Sequence, residues 1–153
     1  MKGYKIGKMA LWQYAFIVIP GGIDYSNELE LQFDEDVFWV NHLVHISLFD
    51  ELEEALPKAK SWNKDLIIYG TETSNCFEVL GESNYVESIS FRIDFTSNYE
   101  KVLNVVLEFL QLNNFLLIGE DKNLLPFNYL QVKATIESSP QFARYKKLSH
   151  PGF

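Results

Sequence analysis

Residues 86–95 alternate strictly between apolar and polar positions. Ile89, Phe91, Ile93 and Phe95 fall on one side; Ser88, Ser90, Arg92 and Asp94 fall on the other, continued by Thr96. A period of two predicts a strand with one core face and one wet face, as in antiparallel sheets. Residues 10–19, Ala-Leu-Trp-Gln-Tyr-Ala-Phe-Ile-Val-Ile, are rich in aromatic and β-branched residues and end at Pro20-Gly21-Gly22. They predict a strand buried on both faces toward its end. Leu66 to Tyr69 before Gly70, residues 76–80, and Phe115 to Ile118 before Gly119 predict further strands, with Gly81 to Asn84 as a turn. Residues 28–33 also alternate and predict a strand with Leu29, Leu31 and Phe33 inward, although a helix stays open there.

Other stretches carry the helical period. Ser47 is placed to cap a helix running to Leu56, with Leu48, Phe49, Leu52, Ala55 and Leu56 as its apolar stripe and Pro57 as its stop. Asp50, Glu51, Glu53 and Glu54 form the opposite face. Ser97 and Glu100 have the spacing of a capping box. Tyr99, Val102, Leu103, Val106, Leu107, Phe109 and Leu110 then make a broad apolar face that closes at Asn113-Asn114. A final helical region spans about Asn128 to Glu137, and Ser139-Pro140 is suited to start one more turn. Strands come in runs with helices inserted singly. The expected fold is therefore α+β, a mainly antiparallel sheet with helices packed on one face. No linker or repeat divides residues 1–153, which read as a single domain.

Composition sharpens this picture through charge. The chain of 153 residues carries a net charge of −8. Such a field repels nucleic acid and anionic membranes and attracts basic partners. The charge is unevenly placed. No Lys or Arg occurs between Lys8 and Lys58, while Asp24, Glu28, Glu30, Asp34, Glu35, Asp36, Asp50, Glu51, Glu53 and Glu54 all lie there. The C-terminal Arg144, Lys146 and Lys147 reverse the sign locally. The run Leu11 to Ile19 is too short to span a bilayer and offers no cleavage site of the secretory kind. With a single cysteine, Cys76, no internal disulfide forms, and a reducing cytoplasm is the expected home.

Candidate chemistry is sparse. His42-x-x-His45 has neither a recognised zinc spacing nor a third nearby histidine, since His150 lies in the tail. Asp34-x-Asp36 lacks the glycine and trailing glutamate of a calcium loop. No phosphate-binding glycine loop and no nucleophile elbow is present, and Cys76 carries no nucleophile signature. No cofactor and no metal are expected. Trp12 and Trp62 read as core anchors. Trp39, just after Asp34-Glu35-Asp36, reads instead as a surface anchor for gripping Arg or Lys. Arg92 and Asp94, two apart on the expected wet face, form an alternative ligand site in which Arg92 holds an anion and Asp94 orients or deprotonates.

Several features together resemble the small acidic immunity proteins of bacterial polymorphic-toxin systems. These are the aromatic-rich first strand ending in Pro-Gly, Trp39 and Trp62 near element edges, and Phe91-Arg92-Ile93-Asp94-Phe95 feeding a capped helix. The C-terminal Ser138-Ser139-Pro140-Gln141-Phe142 completes the likeness. The resemblance implies a cytoplasmic inhibitor that binds one toxin domain and does no chemistry. The expected function is thus a non-catalytic protein-binding module for a basic partner such as a nuclease. Asp34, Glu35, Asp36, Glu51 and Glu54 would steer and pair, and Trp39 would anchor. The alternative is a small-ligand or enzymatic domain with its pocket over Arg92 and Asp94. Edge strands and exposed aromatics would also permit a homodimer.

Overall fold

The computed structural model describes residues 12–25 and 35–149. The expected strand at 28–33, Asp34, His150 and the tail lie outside the described residues. Within them the chain runs β1 (Gln13–Pro20), α1 (Glu35–Trp39), a 3₁₀ helix (Ile46–Glu54), β2 (Lys58–Ala59), β3 (Leu66–Gly70), β4 (Cys76–Glu82) and β5 (Tyr85–Asp94). Helix α2 (Glu100–Leu112), β6 (Phe115–Ile118), β7 (Leu124–Leu125), α3 (Tyr129–Glu137) and α4 (Pro140–Ser149) follow.

The described strands form one seven-stranded sheet in the order β2-β3-β4-β5-β1-β6-β7. Every neighbouring pair is antiparallel. The fold is α+β, as the mixed periodicities predict. β1 sits centrally, with Phe16 opposite Phe91 on one side and Ile19 opposite Leu116 on the other. Its placement between β5 and β6 means that α2 carries the chain across one intervening strand. Both edges end in two-residue strands. Short edges leave few unpaired backbone groups as a template for another chain.

One face of the sheet makes the main core. Tyr14, Phe16 and Val18 of β1, Phe91 and Ile93 of β5, Phe77 and Val79 of β4, and Leu117 of β6 pack against Leu103, Val106, Phe109 and Leu110 of α2. Phe49 of the 3₁₀ helix closes this layer, its ring 5.6 Å from Phe109 and 5.8 Å from Phe77. The apolar stripe of residues 47–56 thus does what its spacing predicts, but in a tighter helix. His45, rather than Ser47, is the cap: its Nδ1 accepts from the Ser47 N–H at 3.1 Å.

The second helix start also differs. Ser97 and Glu100 do not form a capping box, because Ser97 Oγ donates to the Asp94 carbonyl at 2.7 Å and accepts from Asn75 Nδ2 at 3.1 Å. The hydroxyl ties the end of β5 to the β3–β4 loop instead. α4 is ten residues long, where Ser139-Pro140 predicted one turn.

The opposite face overturns the wet-face expectation. Ser88 and Arg92 are buried, together with Glu78, Cys76, Leu66 and Ile68 on the neighbouring strands. Near β1 and β6, Phe38 of α1 packs with Ile19 and Ile118 on this same side. Around Ser88 and Arg92 the second face therefore also excludes water, while Ser90 and Asp94 stay partly exposed, so the polar alternation here reports internal pairing as well as solvent.

Gly70 shows one local constraint. It ends β3 at φ +90°, a left-handed conformation open to glycine, and an added Cβ would strike the Asn75 carbonyl.

Candidate functional site

The two expected sites fare differently. Arg92 is 1 % exposed and its guanidinium donates to the Glu78 carboxylate, itself 1 % exposed. Cys76 lies beside both, 3.6 Å from each. A cation sealed against an anion inside the sheet does not hold a ligand from solvent. Asp94 is bound up in its own turn, where Oδ1 accepts from the Thr96 N–H at 3.0 Å and from Thr96 Oγ1 at 2.6 Å. Ser74 Oγ donates to its other oxygen at 3.3 Å. With Arg92 buried, the anion-holding half of the alternative site is closed to solvent. Burial, followed by the Glu78 charge, pushes the Cys76 thiol up to about 12. A thiol so shifted stays protonated and is a poor nucleophile.

Trp39 is corrected as well. It is 4 % exposed and tilts against Phe115 at 6.1 Å between ring centroids, inside the core. It is therefore not a surface anchor. Trp62, expected inside, is 56 % exposed. Glu35 and Asp36 open α1, while Asp34 lies outside the described residues.

Glu51 and Glu54 are on the surface, as the polar stripe predicts. Their acidic neighbours on the 3₁₀ helix, Asp50 and Glu53, share one lysine. Lys58 Nζ lies 3.5 Å from Asp50 and 3.9 Å from Glu53, and the Tyr69 hydroxyl donates to Asp50 at 3.2 Å. Among the described residues no cation pairs with Glu51, Glu54 or Glu108. These three carboxylates line one groove of about 300 Å³ between the 3₁₀ helix and α2. Its apolar lining is Leu52, Val105, Phe109 and Leu112. Leu112, at the end of α2, is 77 % exposed. The groove exists because Phe49 and Phe109 hold the two helices together below it. Its chemistry is that of a slot with a greasy floor and an anionic rim.

Val105, Glu108 and Leu112 did not emerge from the sequence as site residues. Glu108 sits on the polar face of a strong amphipathic helix, where an isolated acid carries no message. The available signal was Leu112, an apolar residue displaced from the buried stripe.

A larger cavity of about 390 Å³ lies among Tyr14, Glu120, Asp121 and the junction of α3 and α4. Its polar groups are engaged in the fold. Glu120 accepts from the Ala15 N–H at 2.8 Å and from Gln141 Nε2 at 2.9 Å. Its own N–H donates to the Tyr14 hydroxyl oxygen at 3.1 Å. Asp121 holds Asn123. These bonds tie β1, the β6–β7 turn and α4 together. Cavity size therefore does not single out the site here; the carboxylates of the larger cavity are spent on hydrogen bonds within the fold, and among the described residues those of the smaller groove are not.

The chain matches no protein-family model, no curated protein and no solved structure. Among the described residues, no group of three or more His, Cys, Asp and Glu side chains could hold a metal, and no helix is long and apolar enough to cross a membrane. His42 lines a small hollow with Pro20 and Asn114, and His45 is committed to its cap, so the two imidazoles serve separate local roles.

Proposed function

We propose that this protein is a non-catalytic binding module that occludes a basic partner, most concretely an immunity-type inhibitor of a toxin domain such as a nuclease. The observation that carries this reading is the division of charge on the 3₁₀ helix. Lys58 stands within ion-pair range of Asp50 and Glu53, while Glu51 and Glu54 are left exposed with no cation among the described residues. The net charge of −8 adds a long-range field of the same sign.

Such a surface acts first on encounter. Complementary fields raise association rates by roughly 10–10³-fold, and salt removes the gain because screening acts over about 8–10 Å near physiological ionic strength. Retention then depends on contact, and the exposed Leu112 supplies an apolar one beside the acids. The unpaired thiol of Cys76 suits action in the cytoplasm.

The test is capture from the native host by the purified protein and by an E51K/E54K variant, each checked for folding by circular dichroism. The expected result is one basic protein, held by the parent, blocked in its own activity on binding, and lost or slowed with the variant. Capture that is indifferent to both charge reversal and salt would sink the acidic-surface reading.

A further inference from the structure

We infer that the groove between the 3₁₀ helix and α2 is an arginine socket: it receives one arginine side chain of the partner, with the guanidinium among Glu51, Glu54 and Glu108. This deepens the proposal above and rests on it for the partner's charge, but its own grounds are separate.

Size comes first. Small-molecule and cofactor pockets run from about 300 to 1,000 Å³, so a groove of about 300 Å³ stands at the bottom of that range and suits a single long side chain. Lining comes second. The half-buried Val105 and the exposed Leu112 offer apolar surface for methylenes above the buried Leu52 and Phe109, and long cationic side chains lay their stems along such surfaces while the head reaches polar groups. Charge comes third. The carboxylates arrive from two elements, Glu51 and Glu54 from one wall and Glu108 from the other, and none has a cation partner among the described residues.

Geometry of the donor distinguishes the two candidate cations. An ammonium is a compact, strongly hydrated point. A guanidinium is a planar fork with five donors, is less strongly hydrated, and can meet carboxylates on two sides at once. Glu51 and Glu54 on one wall and Glu108 on the other present carboxylates to such a fork from two sides. Arginine therefore fits the socket better than lysine.

The experiment uses the full chain, labelled at Leu and Val methyls, and three peptide probes: acetyl-Gly-Arg-Gly-amide and the same peptide with lysine or with citrulline, the uncharged isostere of arginine. The expected result is saturable shifts confined to the methyls of Leu52, Val105 and Leu112 with the arginine peptide. Lysine should bind more weakly and citrulline should not bind. Glu108→Gln, an exposed substitution outside the core, should weaken the arginine peptide by about two- to five-fold, the size of one partly exposed ion pair. Absence of shifts at these methyls with the arginine peptide would overturn the socket, and so would equal shifts with citrulline. Equal binding of lysine and arginine would overturn the assignment to a guanidinium. The two proposals fail separately. Charge-dependent capture of a partner with a silent groove removes the socket alone. An arginine-binding groove with charge-indifferent capture removes the inhibitor reading alone.

Discussion

The Arg92 guanidinium donates to the Glu78 carboxylate across the β4–β5 pair, with each side chain 1 % exposed. Arg92 stands opposite Cys76 in the register, so Glu78 meets it diagonally, two residues along the same face. Removing one member of a buried pair strands the other charge and costs about 3–5 kcal/mol, whereas replacing both by apolar residues of similar volume is often neutral or stabilising. Arg92→Met should therefore lower stability by that amount in urea unfolding. The double variant Arg92→Met with Glu78→Leu should recover most of it. A single substitution that leaves the midpoint unchanged would mean that the pair is solvated.

Four buried or half-buried acids are shifted in the same direction. Burial, ahead of neighbouring carboxylates, raises Tyr69 and Cys76; burial also leads for Tyr14 and Tyr99, the last pushed up to about 12. Each folded-state value lies above the unfolded one of 9.0 or 10.0. The folded chain thus holds these protons more tightly. Their contribution is fully present below pH about 9 and is lost as pH rises from there through the folded values. Unfolding midpoints should be flat with respect to these groups from neutral pH to about 9 and then fall steeply. In the same frame, a thiol reagent at pH 7 should modify Cys76 only after denaturation.

The sheet and its main core were legible because their signals are local. Alternation in β5, the aromatic run in β1 and the broad stripe of α2 each fix which residues turn inward. What escaped depends on partners distant in sequence. Ser88 and Arg92 read as wet because polarity was equated with exposure, and nothing local announces that Glu78 waits on the next strand. Trp39 was placed outside for the acids before it, and Trp62 inside for its bulk. The true position of Trp39 follows from its packing against Phe115, which no spacing encodes. The same limit applies to the site: Glu51 and Glu54 were visible as a stripe, but the groove needed α2 to be brought beside them.

The tryptophans give a direct check. Trp39 is buried against Phe115, so Trp39→Ala should cost about 3–5 kcal/mol, the range for removing a large aromatic from a core. Trp62 is 56 % exposed, and Trp62→Ala should stay within roughly 0.5–1 kcal/mol of the parent, near the ordinary range for surface changes. Thermal unfolding of the two variants would separate the cases. Equal destabilisation would contradict the placement of these rings.

The β4–β5 hairpin turns through Ser83 and Asn84, at φ 54° and 72°. Two consecutive positive φ values are those of a type I′ turn, whose twist matches the flanking strands and which favours Asn-Gly. Ser83→Asn with Asn84→Gly should hold or slightly raise stability. Ser83→Val, a β-branched residue in a left-handed conformation, should lower it by about 1–2 kcal/mol. Because the turn is exposed, the loss would come from backbone strain and not from packing, and denaturant m-values should remain constant across the series.

Lys58 sets how much of the acidic face is available. It is the cation shared by Asp50 and Glu53, with its side chain 43 % exposed, so its two ion pairs contribute no more than about 0–1 kcal/mol to folding. Lys58→Gln should therefore leave the unfolding midpoint nearly unchanged. It should also free two more carboxylates beside Glu51 and Glu54. If encounter with the basic partner is steered by this surface, Lys58→Gln will speed association at low salt, E51K/E54K will slow it, and the three rates will converge as salt rises. Dissociation should respond less to Lys58→Gln, because charges outside the contact act on approach more than on retention. Stopped-flow association with the captured partner across a salt series reads all of these at once. An unchanged rate in both variants would place the contact on another face of the protein.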